Sequence, residues 1–190
     1  MHYNIPNLVT LARLSLVPCL ILFYSLPFLW AKWLAAVLFF IAVMTDWLDG
    51  FLARRLNQFT RFGAFLDPVA DKLLIAAGLI LLMAEHTGFL FRLAVLIIVG
   101  REILMSALRE WMALCQAASV ISVSRMGKFK TVFQGAAVSI LLTPVPNSWR
   151  WWVTPVGYLA LFIAVVLTVV SLWTYCAKAR PVLMDDTKAP

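Results

Sequence analysis

Charge is scarce in this chain. The 16 basic and 9 acidic residues make 13% of the 190 positions, about half the share of a soluble globular domain. With 63% hydrophobic residues, too little polar surface remains to cover a water-soluble globule of this size. The same balance excludes disorder, which needs low hydrophobicity and abundant charge. Cysteine is sparse as well. Cys19, Cys115 and Cys176 are odd in number, far apart and set in or beside apolar runs, so they read as packed thiols rather than a zinc site or a disulfide framework. The two histidines, His2 and His86, fall in a terminus and a predicted external loop. Ser106 and Ser139 have no nearby His or Lys base, so they read as packing residues rather than nucleophiles. No low-complexity tract, soluble domain or short repeat stands out, and the start does not read as a cleaved signal peptide.

What the chain does have is apolar runs near the ~20-residue length that spans a bilayer. They predict an all-α, polytopic membrane protein forming one domain over 1–190, with six transmembrane helices near 8–27, 33–56, 64–84, 90–114, 128–144 and 154–177. Pro18 inside the first run reads as a tolerated kink. The polar tail from 178 to 190 is expected to fray. Basic residues set the orientation. Thirteen of the sixteen fall on the side holding both termini, against Lys32, Arg92 and Arg150 on the other, so both termini are expected in the cytoplasm. The net charge of +7 is then a topological and lipid-facing feature, and no nucleic-acid partner is implied. Trp30, Trp33, Trp149, Trp151 and Trp152 gather on the opposite side as an interfacial belt.

Four of the nine acids lie within 46–71. Asp46 and Asp49 are spaced i,i+3 and Asp67 and Asp71 i,i+4, so each pair projects from one helix face. If the chain turns near residue 59, two antiparallel helices bring the four carboxylates to a similar depth. Such a cluster needs a neutraliser. Carboxylate oxygens without Cys or His suit Mg²⁺, Mn²⁺ or Ca²⁺, and two such ions can clamp a phosphoryl or pyrophosphate group. Gly50 and Gly63 allow close approach beside the acids, and Arg54 can fork onto a phosphate. The competing readings are ion pairs with Arg54, Arg55 and Lys72, or a path for ions in a cation-coupled transporter. Against the transporter, the acids lie towards one membrane face and no inverted repeat is visible.

The spacing D-x-x-D-G-x-x-A-R-x8-G-x3-D-x3-D, filled by Asp46, Asp49, Gly50, Ala53, Arg54, Gly63, Asp67 and Asp71, resembles the signature of the CDP-alcohol phosphatidyltransferase family. Three further segments resemble the bacterial members that use glycerol 3-phosphate. These are Asn4 through Arg13, Arg101-Glu102 to Arg109-Glu110-Trp111-Met112, and Gly127-Lys128-Phe129-Lys130-Thr131. The resemblance implies transfer of a phosphatidyl group from CDP-diacylglycerol to sn-glycerol 3-phosphate, with release of CMP. It implies a homodimer in the bacterial inner membrane, among membrane lipids, with the active site open to the cytoplasm. It implies two divalent cations, Mg²⁺ or Mn²⁺, on Asp46, Asp49, Asp67 and Asp71, with Asp71 also the base. Gly50, Arg54 and Thr60 would contact the CDP moiety, with Thr10 contributing from the first helix. Serine, inositol phosphate or a lipid remain alternative acceptors.

An anionic acceptor needs cations of its own. Arg101, Arg109, Arg125, Lys128 and Lys130 are the candidates, with Arg109 and Lys130 preferred and Lys128 next. Arg101 and Arg109 lie slightly over two turns apart on one helix side. For Arg101 the competing reading is a salt bridge with Glu102 or Glu110. For Arg125, Lys128 and Lys130 it is ordinary positive-inside charge.

Overall fold

A computed structural model describes residues 5–56, 61–115, 117 and 125–184. Among them are six helices and no strand: α1 Ile5–Ser25, α2 Leu29–Leu56, α3 Arg61–Glu85, α4 Phe89–Leu114, α5 Arg125–Leu142 and α6 Asn147–Leu183. The helices therefore coincide with the six apolar runs, with ends shifted by a few residues. α6 extends furthest beyond expectation, continuing past 177 to Leu183. Its last turns are held by burial, because Tyr175 and Ala179 join Met105 and Met112 in one cluster, with Val182 packed on it. Among the described residues, only α6 is by length and composition long and apolar enough to cross a membrane. Thr10–Ser25, Leu29–Thr45 and Phe129–Leu142 are shorter apolar stretches.

The chain forms two compact units, one of residues 1–87 and 135–158, the other of 88–134 and 159–190. In the first, α1 packs on both α2 and α3, and α2 packs on α3. Small residues set the close approach. A Cβ on Gly78 would stand 2.6 Å from Val138 Cγ1 and 2.8 Å from the Phe39 ring, both fully buried. Gly78→Ala should therefore cost about 1–3 kcal/mol, the usual penalty of overpacking. Its signature is a lower midpoint in thermal unfolding of the detergent-solubilised protein. An unchanged midpoint would mean that Val138 and Phe39 move aside.

The Phe39 ring of α2 reaches Gly78 of α3. Only four residues separate the end of α2 at Leu56 from the start of α3 at Arg61, so the packed helices run antiparallel. Seven residues from Phe39 towards that connection is Asp46, and seven from Gly78 is Asp71. By the same count Asp49 matches Pro68, beside Asp67. Counted along the sequence from that contact, the two acidic pairs stand at similar distances on their helices.

Polarity runs inside out for a water-soluble fold. In the first unit Leu22, Phe40 and Ile80 are exposed while Thr10 and Arg13 are buried. In the second, Leu96, Ile103, Phe162 and Trp173 face outward while Arg101, Lys130, Gln134, Thr168 and Ser171 are buried. This pattern suits hydrocarbon as the surrounding solvent, where polar side chains must find partners inside the protein.

The first unit closes, at the end of α3, on a polar cluster. Lys32 pairs with Glu85 and sits 5.3 Å from the centre of the Tyr24 ring. His86 Nδ1 lies 2.8 Å from the Tyr158 hydroxyl, with the rings edge to face. Burial pushes the Glu85 carboxyl up, but its hydrogen bond and charge contact with Lys32, helped by Tyr24 and His86, hold it below its ordinary value. Burial lowers the His86 imidazole; Glu85 opposes this and Arg150 adds to it.

Candidate active site

The described part of the acidic cluster is built by α1 and α3. Thr10 and Arg13 are spaced i,i+3 on α1, matching the one-turn spacing of Asp67 and Asp71 on α3. The two helices therefore present a pair of donors to a pair of acceptors. The Thr10 hydroxyl donates to Asp67 Oδ1. Arg13 Nη1 donates to Asp71 Oδ1 at 2.7 Å. Both donors are buried, at 2% exposure each, whereas the Asp71 side chain is 41% exposed and Asp67 is exposed. The acids thus stand at an open edge with their donors behind them. Gly63 is buried and Lys72 half-buried on the same helix.

The expected site residues divide accordingly. Thr10, Asp67 and Asp71 are brought together. Asp46, Asp49, Gly50 and Arg54 lie on α2, but their side chains are outside the described residues, as is the whole of Thr60. In the sequence Arg13 is one of the basic residues on the side of the termini and the end of the Asn4–Arg13 segment, with no site role attached. The signal for more was its i,i+3 spacing from Thr10, which becomes informative only once α1 is known to face α3.

The donor set fits a hard divalent cation. Asp67 and Asp71 offer carboxylate oxygens one turn apart, with no thiolate or imidazole beside them, as Mg²⁺ or Mn²⁺ prefers. Among the described residues, no group of three or more His, Cys, Asp or Glu side chains gathers at one point. Further ligands would have to come from outside these two residues.

The basic candidates belong to the second unit. Lys130 is 2% exposed and donates to Glu102 Oε1. Arg101 reaches the same carboxylate oxygen at 3.3 Å and the Ser171 hydroxyl at 3.0 Å. The salt bridge weighed above for Arg101 is therefore present, with Glu102. The Arg101 Nε is buried without a hydrogen-bond partner among the described residues. Gln134 and Thr168 extend the polar interior, 3.5 Å apart. Arg109 is exposed on α4, and the Arg125 and Lys128 side chains lie outside the described residues. Sequence reasoning treated Glu102 as a possible partner of Arg101 only. Its pairing with Lys130 joins residues far apart in the chain, which no helical spacing announces.

Comparison with known proteins gives this geometry its setting. The sequence model of the CDP-alcohol phosphatidyltransferase family matches residues 3–173. The chain belongs to that family. The CDP-diacylglycerol–glycerol-3-phosphate 3-phosphatidyltransferase of Salmonella choleraesuis (strain SC-B67) is 46% identical to it over 188 residues, covering 98% of this chain and 100% of the relative. Proteins of the same name from Shigella flexneri serotype 5b and Escherichia coli strain K12 match with the same identity and coverage.

Proposed function

We propose that the chain transfers the phosphatidyl group of CDP-diacylglycerol to sn-glycerol 3-phosphate, giving phosphatidylglycerol phosphate and CMP. The observation that carries this is the 46% identity along 98% of the chain to relatives named for that reaction. Asp67 and Asp71, held by Thr10 and Arg13 at an open edge, support a site of suitable chemistry.

In this reading Asp46, Asp49, Asp67 and Asp71 hold two divalent cations, Mg²⁺ or Mn²⁺. When bound, the ions offset the charge of the pyrophosphate and of the departing CMP. The protein's own groups do the rest. Asp71 takes the proton of the acceptor hydroxyl as its oxygen bonds to the phosphorus that carries diacylglycerol, and the bond from that phosphorus to CMP breaks. Thr10 and Arg13 orient Asp67 and Asp71 from behind, leaving their outer edges for ligands. Gly50 lets the nucleotide approach the backbone, while Arg54 and Thr60 contact its polar groups. Arg109, Lys128 and Lys130 receive the phosphate of the acceptor. Lys130 must then exchange Glu102 for that phosphate.

The six helices span the bacterial inner membrane as a single domain, with both termini and the aspartates on the cytoplasmic side. The apolar outer surface and the thirteen-to-three distribution of basic residues support this placement. The working form is a homodimer.

The test is an acceptor exchange. Purified protein in detergent, given Mg²⁺ or Mn²⁺ and CDP-diacylglycerol, should release CMP when glycerol 3-phosphate is added, and not with serine or inositol phosphate. Release with another acceptor alone would refute the substrate assignment. No release with any of them would refute the transferase reading.

A further inference from the structure

Far from the aspartates, the same unit contains a second polar site. Asp71 and Glu85 are fourteen residues apart on α3, about 21 Å along the helix axis. At the Glu85 end lies a cavity of about 430 Å³, lined among others by Tyr24, Lys32, Glu85, His86, Arg150 and Thr154. Its charges do not cancel. Lys32 is paired with Glu85, and His86 is biased towards its neutral form by burial. Among the described residues the Arg150 guanidinium has neither a side-chain hydrogen bond nor an ion pair. One unopposed positive charge with a planar fork of donors remains, in a wall that also carries Tyr24 and Thr154.

The surroundings are those of a membrane interface. Leu29, Trp30 and Trp151 are 60–77% exposed, and Trp149 and Trp152 stack obliquely with ring centres 5.8 Å apart. Exposed indoles at helix ends mark the headgroup level of a bilayer. An Arg fork binds phosphate oxygens in pairs. A single excess charge matches a phosphodiester, which carries one negative charge, better than a phosphomonoester, which carries up to two.

We propose that this cavity binds the headgroup of an anionic phospholipid through its phosphodiester, with Arg150 as the principal ligand. The lipid belongs to the leaflet opposite the aspartates. The site rests on the bilayer reading of the outer surface and not on the transferase reading. Lys32 supports Arg150 by neutralising Glu85, which would otherwise repel the phosphate. Neither Arg150 nor Lys32 belongs to the proposed catalytic machinery.

The experiment is native mass spectrometry of the full-length protein in detergent, titrated with dioleoyl phosphatidylglycerol or dioleoyl phosphatidylcholine. The wild type should bind the anionic lipid in preference. Arg150→Gln should weaken that binding by about tenfold or more, as expected for loss of a charge-assisted pair, with transfer from CDP-diacylglycerol unchanged. Soluble glycerophosphoglycerol should displace the lipid from the wild type more effectively than inorganic phosphate does. Equal binding of the two lipids by the wild type overturns the proposal without any variant. Unchanged affinity in Arg150→Gln also overturns it, and better displacement by inorganic phosphate would make this a site for free phosphate instead.

Discussion

Asp71→Asn should lower kcat by about a hundredfold to ten-thousandfold, the range associated with a positioned general base. Binding of CDP-diacylglycerol should survive better than turnover. The substitution keeps the size of the side chain and one carbonyl oxygen, but removes the charge and the ability to accept the acceptor's proton. Arg13 complicates the result, because it is buried and donates to Asp71 at 2.7 Å. Removing one partner of a buried ion pair costs about 3–5 kcal/mol in fully buried cases, and less here because Asp71 is 41% exposed. The double variant Arg13→Gln/Asp71→Asn separates the two effects. It should recover thermal stability relative to Asp71→Asn without recovering kcat. Recovery of both would make Asp71 a structural partner of Arg13. Equal loss of lipid-nucleotide binding and turnover in Asp71→Asn would restrict the residue to holding a cation.

Lys130→Ala should raise KM for glycerol 3-phosphate by about ten- to a hundredfold, the equivalent of one hydrogen bond between charged groups. KM for CDP-diacylglycerol should stay nearly constant. The structure makes this a demanding test, since Lys130 is 2% exposed and already bonded to Glu102. Two roles are in competition. As a counter-ion, Lys130 serves only to neutralise Glu102 beside Arg101. As a phosphate ligand, it is held in reserve by Glu102 and transferred to the acceptor when that binds. Glu102→Gln/Lys130→Ala decides between them. A counter-ion's loss is compensated in the double variant, and KM returns towards the wild-type value. A ligand's loss is not, and KM stays high. Measuring KM for both substrates in the wild type and the two variants gives the answer.

The parts legible in the sequence share a physical property: they depend on short-range periodicity. Apolar runs of bilayer length fix helix existence, and all six helices lie where those runs predict them. The i,i+3 and i,i+4 acids fix which residues share a helix face, and the eight-residue signature points to the family that the full-chain match shows. What depends on packing between distant segments was not legible. Arg13 faces Asp71 because α1 packs against α3, and its i,i+3 spacing from Thr10 gains meaning only through that packing. Lys130 and Glu102 are 28 residues apart, so the pair is invisible until α4 and α5 have a geometry. The end of α6 illustrates the same limit. Residues 178–183 read as a polar tail by composition, yet Ala179 and Val182 reach an apolar cluster and the helix persists. Arg150 looked like one of three exceptions to the charge bias, and only the cavity beside it gives it a role.

In the proposed reaction the phosphorus of the phosphatidyl group leaves CMP for an oxygen of glycerol 3-phosphate. The most direct measurement follows both products at once. Purified protein is incubated with CDP-diacylglycerol, Mg²⁺ or Mn²⁺, and glycerol 3-phosphate carrying a label on its carbon skeleton. CMP and lipid-soluble label are then counted against time. The account predicts equal amounts of the two at every time point, with the label in a lipid bearing a terminal phosphomonoester. CMP released without labelled lipid would make the chain a hydrolase, and would contradict the account at its core.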